Sequence, residues 1–334
     1  MSPSGKRVER TGPEGRTKTQ AQWAGSSRAE RYAGRGVALE SFPFGMPVEP
    51  LIQRDRGRKR VFVLGVYASA VHARWVGDDG RTMVTALAVA SEPEIFWRGE
   101  GAADIISGIQ IPAGAGRLFP AGARLNGPSG RALDDLFLSP LGVDRTDSWL
   151  CDLLPLSRQN ERQAAALARS YEPNMLEMGL PAYDWPPVPA ELASEERRTA
   201  IEREVDEAAP EVIMTLGDQP LKWFTSHFGS RARLGGYGES PEDYGRLHPV
   251  QIADREAHLL PLVHPRQAGG LGNHSSKWAA LHTHWVENVA SSLLGAPAQQ
   301  ALQPDAQKVS IRLDSHGARV MRKTRWADSR GRGE

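Results

Sequence analysis

The 334-residue chain has a single cysteine, Cys151. One cysteine excludes an internal disulfide framework and any four-cysteine zinc or iron–sulfur site built within one chain. A reducing, cytoplasmic setting is therefore expected. Long apolar stretches are also missing. Runs such as Val61–Leu64 fall far short of the roughly 20 residues a membrane span needs, so no membrane partner is expected. The N-terminus is polar and carries no apolar leader segment. No Walker-type or dinucleotide-binding glycine fingerprint is present, and no Gly-x-Ser-x-Gly elbow supports a serine hydrolase. His282 and His284 would lie about 200° apart on a helix, on opposite faces. No metal or other cofactor is expected, and the chain is expected to be a monomer.

Charge of one sign is not scarce, but it is unevenly placed. Residues 1–60 carry 13 Lys and Arg against 6 Asp and Glu, and residues 308–334 carry 8 against 3. The formal net charge of the whole is only +1, so the intervening body is acidic. Basic ends on an acidic body fit contact with nucleic acid through the ends. Residues 1–40 are rich in Gly, Ser, Arg and Glu without apolar periodicity and are expected to form a disordered basic tail. Residues 295–334 are expected to form a mobile basic tail, which leaves 41–294 as the folded domain. Within it, 41–58 is a lead-in segment placed to pack on the domain.

The domain alternates apolar runs with helical patterns. Arg60–Gly65, Met83–Ala90, Ser148–Leu154, Glu211–Gly217 and His258–Val263 read as strands, and continuous β-branched runs fit parallel strands buried on both faces. Helices are expected over 129–137, 194–208 with Ser194 as N-cap, 219–227 and 275–294. The Pro-rich stretch 170–192 is expected to be a long surface segment. Strands alternating with helices predict an α/β fold, a three-layer α/β/α sandwich with a mainly parallel central sheet. In such sheets ligands bind at the carboxyl ends of the strands.

Three strand ends carry reactive side chains: Gly65–Val66–Tyr67–Ala68–Ser69, Asp152, and His264–Pro265. The last continues through Arg266 and Gly269–Gly270–Leu271–Gly272–Asn273–His274 into Ser275–Ser276–Lys277. With Gly127–Pro128–Ser129–Gly130, Leu141–Arg145 and Val212–Gly217, these segments, in this order over about residues 60–290, resemble the uracil-DNA glycosylase superfamily. The similarity of 127–154 is to its thermostable iron–sulfur branch, although one cysteine leaves no cluster to expect. The resemblance implies a DNA-base N-glycosylase, acting on a damaged or unusual base, with DNA as partner. A non-catalytic nucleic-acid or nucleotide-binding member of the same superfamily is the alternative.

Such an enzyme extrudes a nucleotide to reach its N-glycosidic bond, and the departing base carries negative charge on its ring oxygens. A neutral histidine at a strand end can donate to that oxyanion, the role implied for His264. Gly270 and Gly272 let backbone approach phosphate. Pro265, His274, Ser275, Ser276 and Lys277 are the implied phosphate contacts, and Arg266 or Leu271 the wedge. Gly65, Tyr67 and Ser69 line the base pocket, with Leu125 or Phe119 as the group stacked on the base. Relatives carry Asp, Glu or Asn in the first of these loops. Here it holds no carboxylate or amide. Asp152 stands where uracil-excising relatives often have Asn. It either orients the base, or replaces the missing acid and serves the water, or pairs with Arg158.

Overall fold

The apolar run beginning at Val61 forms β1 (Val61–Tyr67), an inner strand of a six-stranded sheet. The computed structural model describes residues 40–228, 233–252, 255–271 and 275–294, together with the backbone of 309–310. Of the two expected tails, all but Glu40 and that short stretch lies outside the described residues. Strand β1 pairs in parallel with β5 (Ser148–Leu154) on one side and β6 (Val212–Leu216) on the other. Strand β8 (Arg255–Leu262) pairs in parallel with β6, and β7 (His248–Ile252) adds an antiparallel strand beyond it. A two-residue strand β9 (Val309–Ser310) pairs with β7. The fold is thus mixed α/β with a mainly parallel sheet flanked by helices.

Burial explains the uninterrupted apolar reading of these strands. All five residues of β6 are buried, and so are Val61 to Leu64 of β1. Neither face meets water, so neither face needs polar residues. After helices α1 (Ala102–Ser107), α2 (Pro128–Leu133) and α3 (Glu161–Ala166), the charged helix α4 (Glu195–Ala208) begins as expected at Ser194, whose hydroxyl accepts from the backbone N–H of Arg197. Helix α5 (Asp218–Phe228) follows β6 directly. The closing helix is divided into α7 (Ser275–Asn288) and α8 (Ala290–Leu293). Its two histidines do not act together. His282 is buried between the hydroxyl of Tyr244 (2.8 Å) and the carbonyl of Leu136 (2.9 Å), a structural bridge from α7 to the turn before β5.

The run Met83–Ala90 is a strand as expected, but it belongs to a second, three-stranded antiparallel sheet and not to the parallel one, and its partners there were not legible in the periodicity. Strand β2 (Ala70–Val76) leaves β1 after only Ala68 and Ser69, and runs between β3 (Thr82–Ser91) and β4 (Arg117–Pro120). It has its own core, in which Trp75 is fully buried. The lead-in segment packs there through Phe42 and Phe44. The stretch 170–192, expected at the surface, also sends Tyr171 and Trp185 into this core. Tyr171 donates its phenol proton to the carbonyl of Pro181 (2.8 Å) and accepts from the N–H of Phe44 (2.9 Å). Tyr171 and Trp185 are thus buried and Tyr183 half-buried, although the stretch is rich in proline.

Candidate functional site

The carboxyl ends of β1, β5 and β8 open into a cleft of about 510 Å³. Tyr67, Ser69, Leu125, Asp152, His264 and Arg266 line it, so residues almost 200 positions apart meet as the strand ends predict. Gly65 lies beneath the cleft: a Cβ there would stand 2.2 Å from Asp152 Oδ1 and 2.7 Å from Phe96 Cζ. The glycine is required by close approach, since the carboxyl and the ring occupy the space a side chain would take.

Asp152 is buried at the end of β5, and its position is held from behind the sheet. Arg197 donates to the carbonyl of Asp152 (2.6 Å from Nη2) and to Glu204 (2.8 Å from Nη1), and Glu204 also accepts from the indole N–H of Trp149 (2.9 Å). Burial pushes the Asp152 carboxyl up to about 7, against the opposing charge of Arg197. Arg158 is not its partner. That guanidinium binds Glu40 instead (2.6 Å).

A second carboxyl, Glu92, faces the same cleft from beyond β3. It is buried. Burial first, and then the charge of Asp152, hold it well above the usual carboxylate range, opposed by a hydrogen bond with Ser69. The first loop lacks an acid, yet its Ser69 contacts one delivered by the second sheet. Sequence reading missed Glu92 because β2 was missed. Only the hairpin of β2 and β3 returns residue 92 to the end of β1.

His264 stands at the end of β8 and caps the short helix α6 (Pro265–Ala268), its Nδ1 accepting from the backbone N–H of Arg266 at 3.2 Å. That bond assigns the tautomer. With Nδ1 as acceptor, the ring proton of the neutral imidazole sits on Nε2. Burial, reinforced by the Arg266 charge, lowers the His264 pKa to about 4. His264 is therefore neutral at physiological pH and a donor through Nε2. Gly217 (φ 93°) makes room for it, its missing Cβ lying 3.4 Å from that of His264. His72 of β2 also lines the cleft, and burial likewise lowers its pKa to about 4.

Phe96, and not Phe119, lines the cleft beside Tyr67 and Trp97. Phe96 lines the cleft with a backbone φ of 51°, a left-handed conformation that is costly for a bulky residue and that must be held by its surroundings. Arg145 does so, donating to the carbonyl of Phe96 at 2.6 Å while pairing with Asp134 at 2.8 Å. Phe119, expected at the base, lies on β4 and is 39% exposed.

The glycines of Gly127–Pro128–Ser129–Gly130 serve the same loop. A Cβ on Gly130 would stand 2.1 Å from the carbonyl oxygen of Phe96 and 2.3 Å from that of Trp97. Helix α2 (Pro128–Leu133) can therefore approach the aromatic loop only without a side chain at that position. Gly130→Ala is expected to lower the unfolding free energy by about 1–3 kcal/mol, the usual cost of overpacking. Urea denaturation reads this as a lower midpoint; an unchanged midpoint contradicts the close approach.

The phosphate contacts fare unevenly. Arg266 lines the cleft, Pro265 is buried at the start of α6, and Gly270 (φ 71°) ends the following turn. Leu271 is exposed. Ser275 is buried at the start of α7, and Ser276 is exposed beside it. Lys277 is not a free charge: it pairs with Glu239 and lies 5.8 Å from the ring centroid of Trp278. Gly272 and His274 lie outside the described residues. Among the described residues no cluster of His, Cys, Asp or Glu is arranged to hold a metal ion, and no helix is long and apolar enough to cross a membrane.

The sequence matches no known family model, and a search of curated proteins finds no match to it.

Proposed function

We propose that this chain is a DNA-base N-glycosylase with the three-layer α/β/α architecture of the uracil-DNA glycosylase superfamily. The observation that carries the reading is the convergence of a neutral, Nε2-protonated His264 with the buried carboxyls of Asp152 and Glu92 in one cleft at the strand ends. An N-glycosidic bond breaks with its electron pair going to the base, and water adds to the sugar carbon. Nε2–H of His264 donates to the carbonyl oxygen of the base on which that charge collects. Asp152, as carboxylate, takes the proton of the attacking water. Glu92, whose proton burial and the Asp152 charge hold more tightly than in a free carboxyl, lies in the same cleft. Phe96 offers its face to the extruded base.

Oligonucleotides carrying uracil, hypoxanthine, xanthine or alkylated bases test the reading when strands are cleaved with alkali after incubation. Scission at one of these bases is expected. No scission at stoichiometric protein, together with salt-sensitive DNA binding, rejects the enzyme and leaves the non-catalytic nucleic-acid-binding alternative.

A further inference from the structure

The second sheet carries a feature that base excision does not use. Along β2, Ala73 and Trp75 are buried in its core, so the alternating residues His72, Arg74 and Val76 turn to the other side. The antiparallel pairing sets Phe119 opposite Arg74 and Arg117 opposite Val76. The guanidinium of Arg74 lies 5.4 Å from the centroid of the Phe119 ring. His72 lines the cleft, so this strip of sheet runs out of the cleft mouth. Arg74 follows His72 by two residues, about 7 Å along a strand.

A lone exposed phenylalanine is ordinary on a protein surface. This one differs in its neighbours. Arg74, Arg117 and Arg124 form no ion pair among the described residues, although the body of the chain is acidic. Arg124 is exposed and directly precedes Leu125, which lines the cleft. An aromatic flanked by unpaired guanidinium groups is the arrangement that binds unpaired bases and their phosphates. A duplex keeps its base faces stacked on each other and gains little from such a platform.

We propose that the β2–β4 strip is a subsite for single-stranded nucleic acid leading away from the cleft, with one unpaired base stacked on Phe119 and Arg74 and the adjoining phosphates held by Arg117 and Arg124. The subsite rests on the cleft being a nucleic-acid site, but not on its catalysing excision.

Fluorescence anisotropy of the full-length protein with a labelled oligothymidylate of about 12 nucleotides, and with a duplex of equal length, tests it. Phe119→Ala is expected to weaken single-strand binding by about 5- to 100-fold with little change on duplex, and Phe119→Trp to restore it. Arg117→Ala is expected to lower the salt slope of single-strand binding by about one. The basic ends of the chain are common to every variant, so they cancel. Unchanged single-strand binding by Phe119→Ala overturns the proposal, and so do equal losses on single strand and duplex. Loss of single-strand binding in Phe119→Ala, with no base excised by the wild type, leaves the subsite standing and rejects the glycosylase. Excision by the wild type, with Phe119→Ala binding and excising as well, does the reverse.

Discussion

Replacing His264 with alanine is expected to lower the excision rate by about 10²–10³-fold, the usual loss when one oxyanion donor is removed. Oligonucleotide affinity should remain near that of the wild type, because the imidazole meets its strongest demand only as the bond breaks. Two structural facts define the expectation more narrowly than a missing side chain would. The Arg266 N–H holds Nδ1 as an acceptor, so only Nε2 can donate. Burial and the Arg266 charge keep the ring neutral down to about pH 4. His264 should therefore contribute no limb to the pH–rate profile above that value. Nitrogen-15 NMR of the labelled imidazole reads both properties directly. A ring protonated on Nδ1, or one titrating near pH 6.5, contradicts the assignment even if His264→Ala is inactive.

The strand ends were readable in the sequence, and the contents of the cleft only partly. β1, β5, β6 and the second half of β8 are buried on both faces, so each appears as an apolar run, and the reactive residues at or near their carboxyl ends, Tyr67, Asp152 and His264, could be placed without coordinates. Ser194 marked the start of α4 because its capping role is local. The second sheet is different. In β2, Ala70–Val76 mixes small residues with histidine, arginine and tryptophan, because one face covers a core while the other lines a cleft and a surface strip.

The consequences of that missed sheet are specific. Glu92 was invisible as a site residue, since nothing local distinguishes it from an ordinary acid after a strand. Phe119 was placed at the base by its nearness in sequence to Gly127, whereas β4 carries it to the outer face. Phe96 had no signal at all. Its position depends on Arg145 and on Gly130, which sequence similarity had linked only to the family pattern. Gly130 makes room for another loop of the same chain, a close approach that no local pattern announces.

The excision rate is expected to rise through a limb centred near pH 7 as Asp152 loses its proton, and Asp152→Asn is expected to remove that limb along with about 10²–10⁴ of the rate. The same group should leave a signature in stability. Asp152 ionises at its ordinary value of 3.8 in the unfolded chain and at about 7 when folded. Its folded pKa is raised, so from about pH 4 the unfolded chain releases a proton that the folded chain retains. Stability contributed by this carboxyl therefore falls as pH climbs from about 4 to 7, and is level above that. Glu92 acts in the same sense, since its pKa is also raised. Asparagine cannot ionise, so the stability of Asp152→Asn relative to wild type should increase by up to about 4 kcal/mol between pH 4 and pH 8. Urea unfolding across that range measures the difference, and any constant effect of the amide cancels from it. A difference that stays flat means that Asp152 is well solvated and titrates as an ordinary carboxylate. A rate limb near pH 7 would then belong to another group, and the assignment of Asp152 as the base would fall with it.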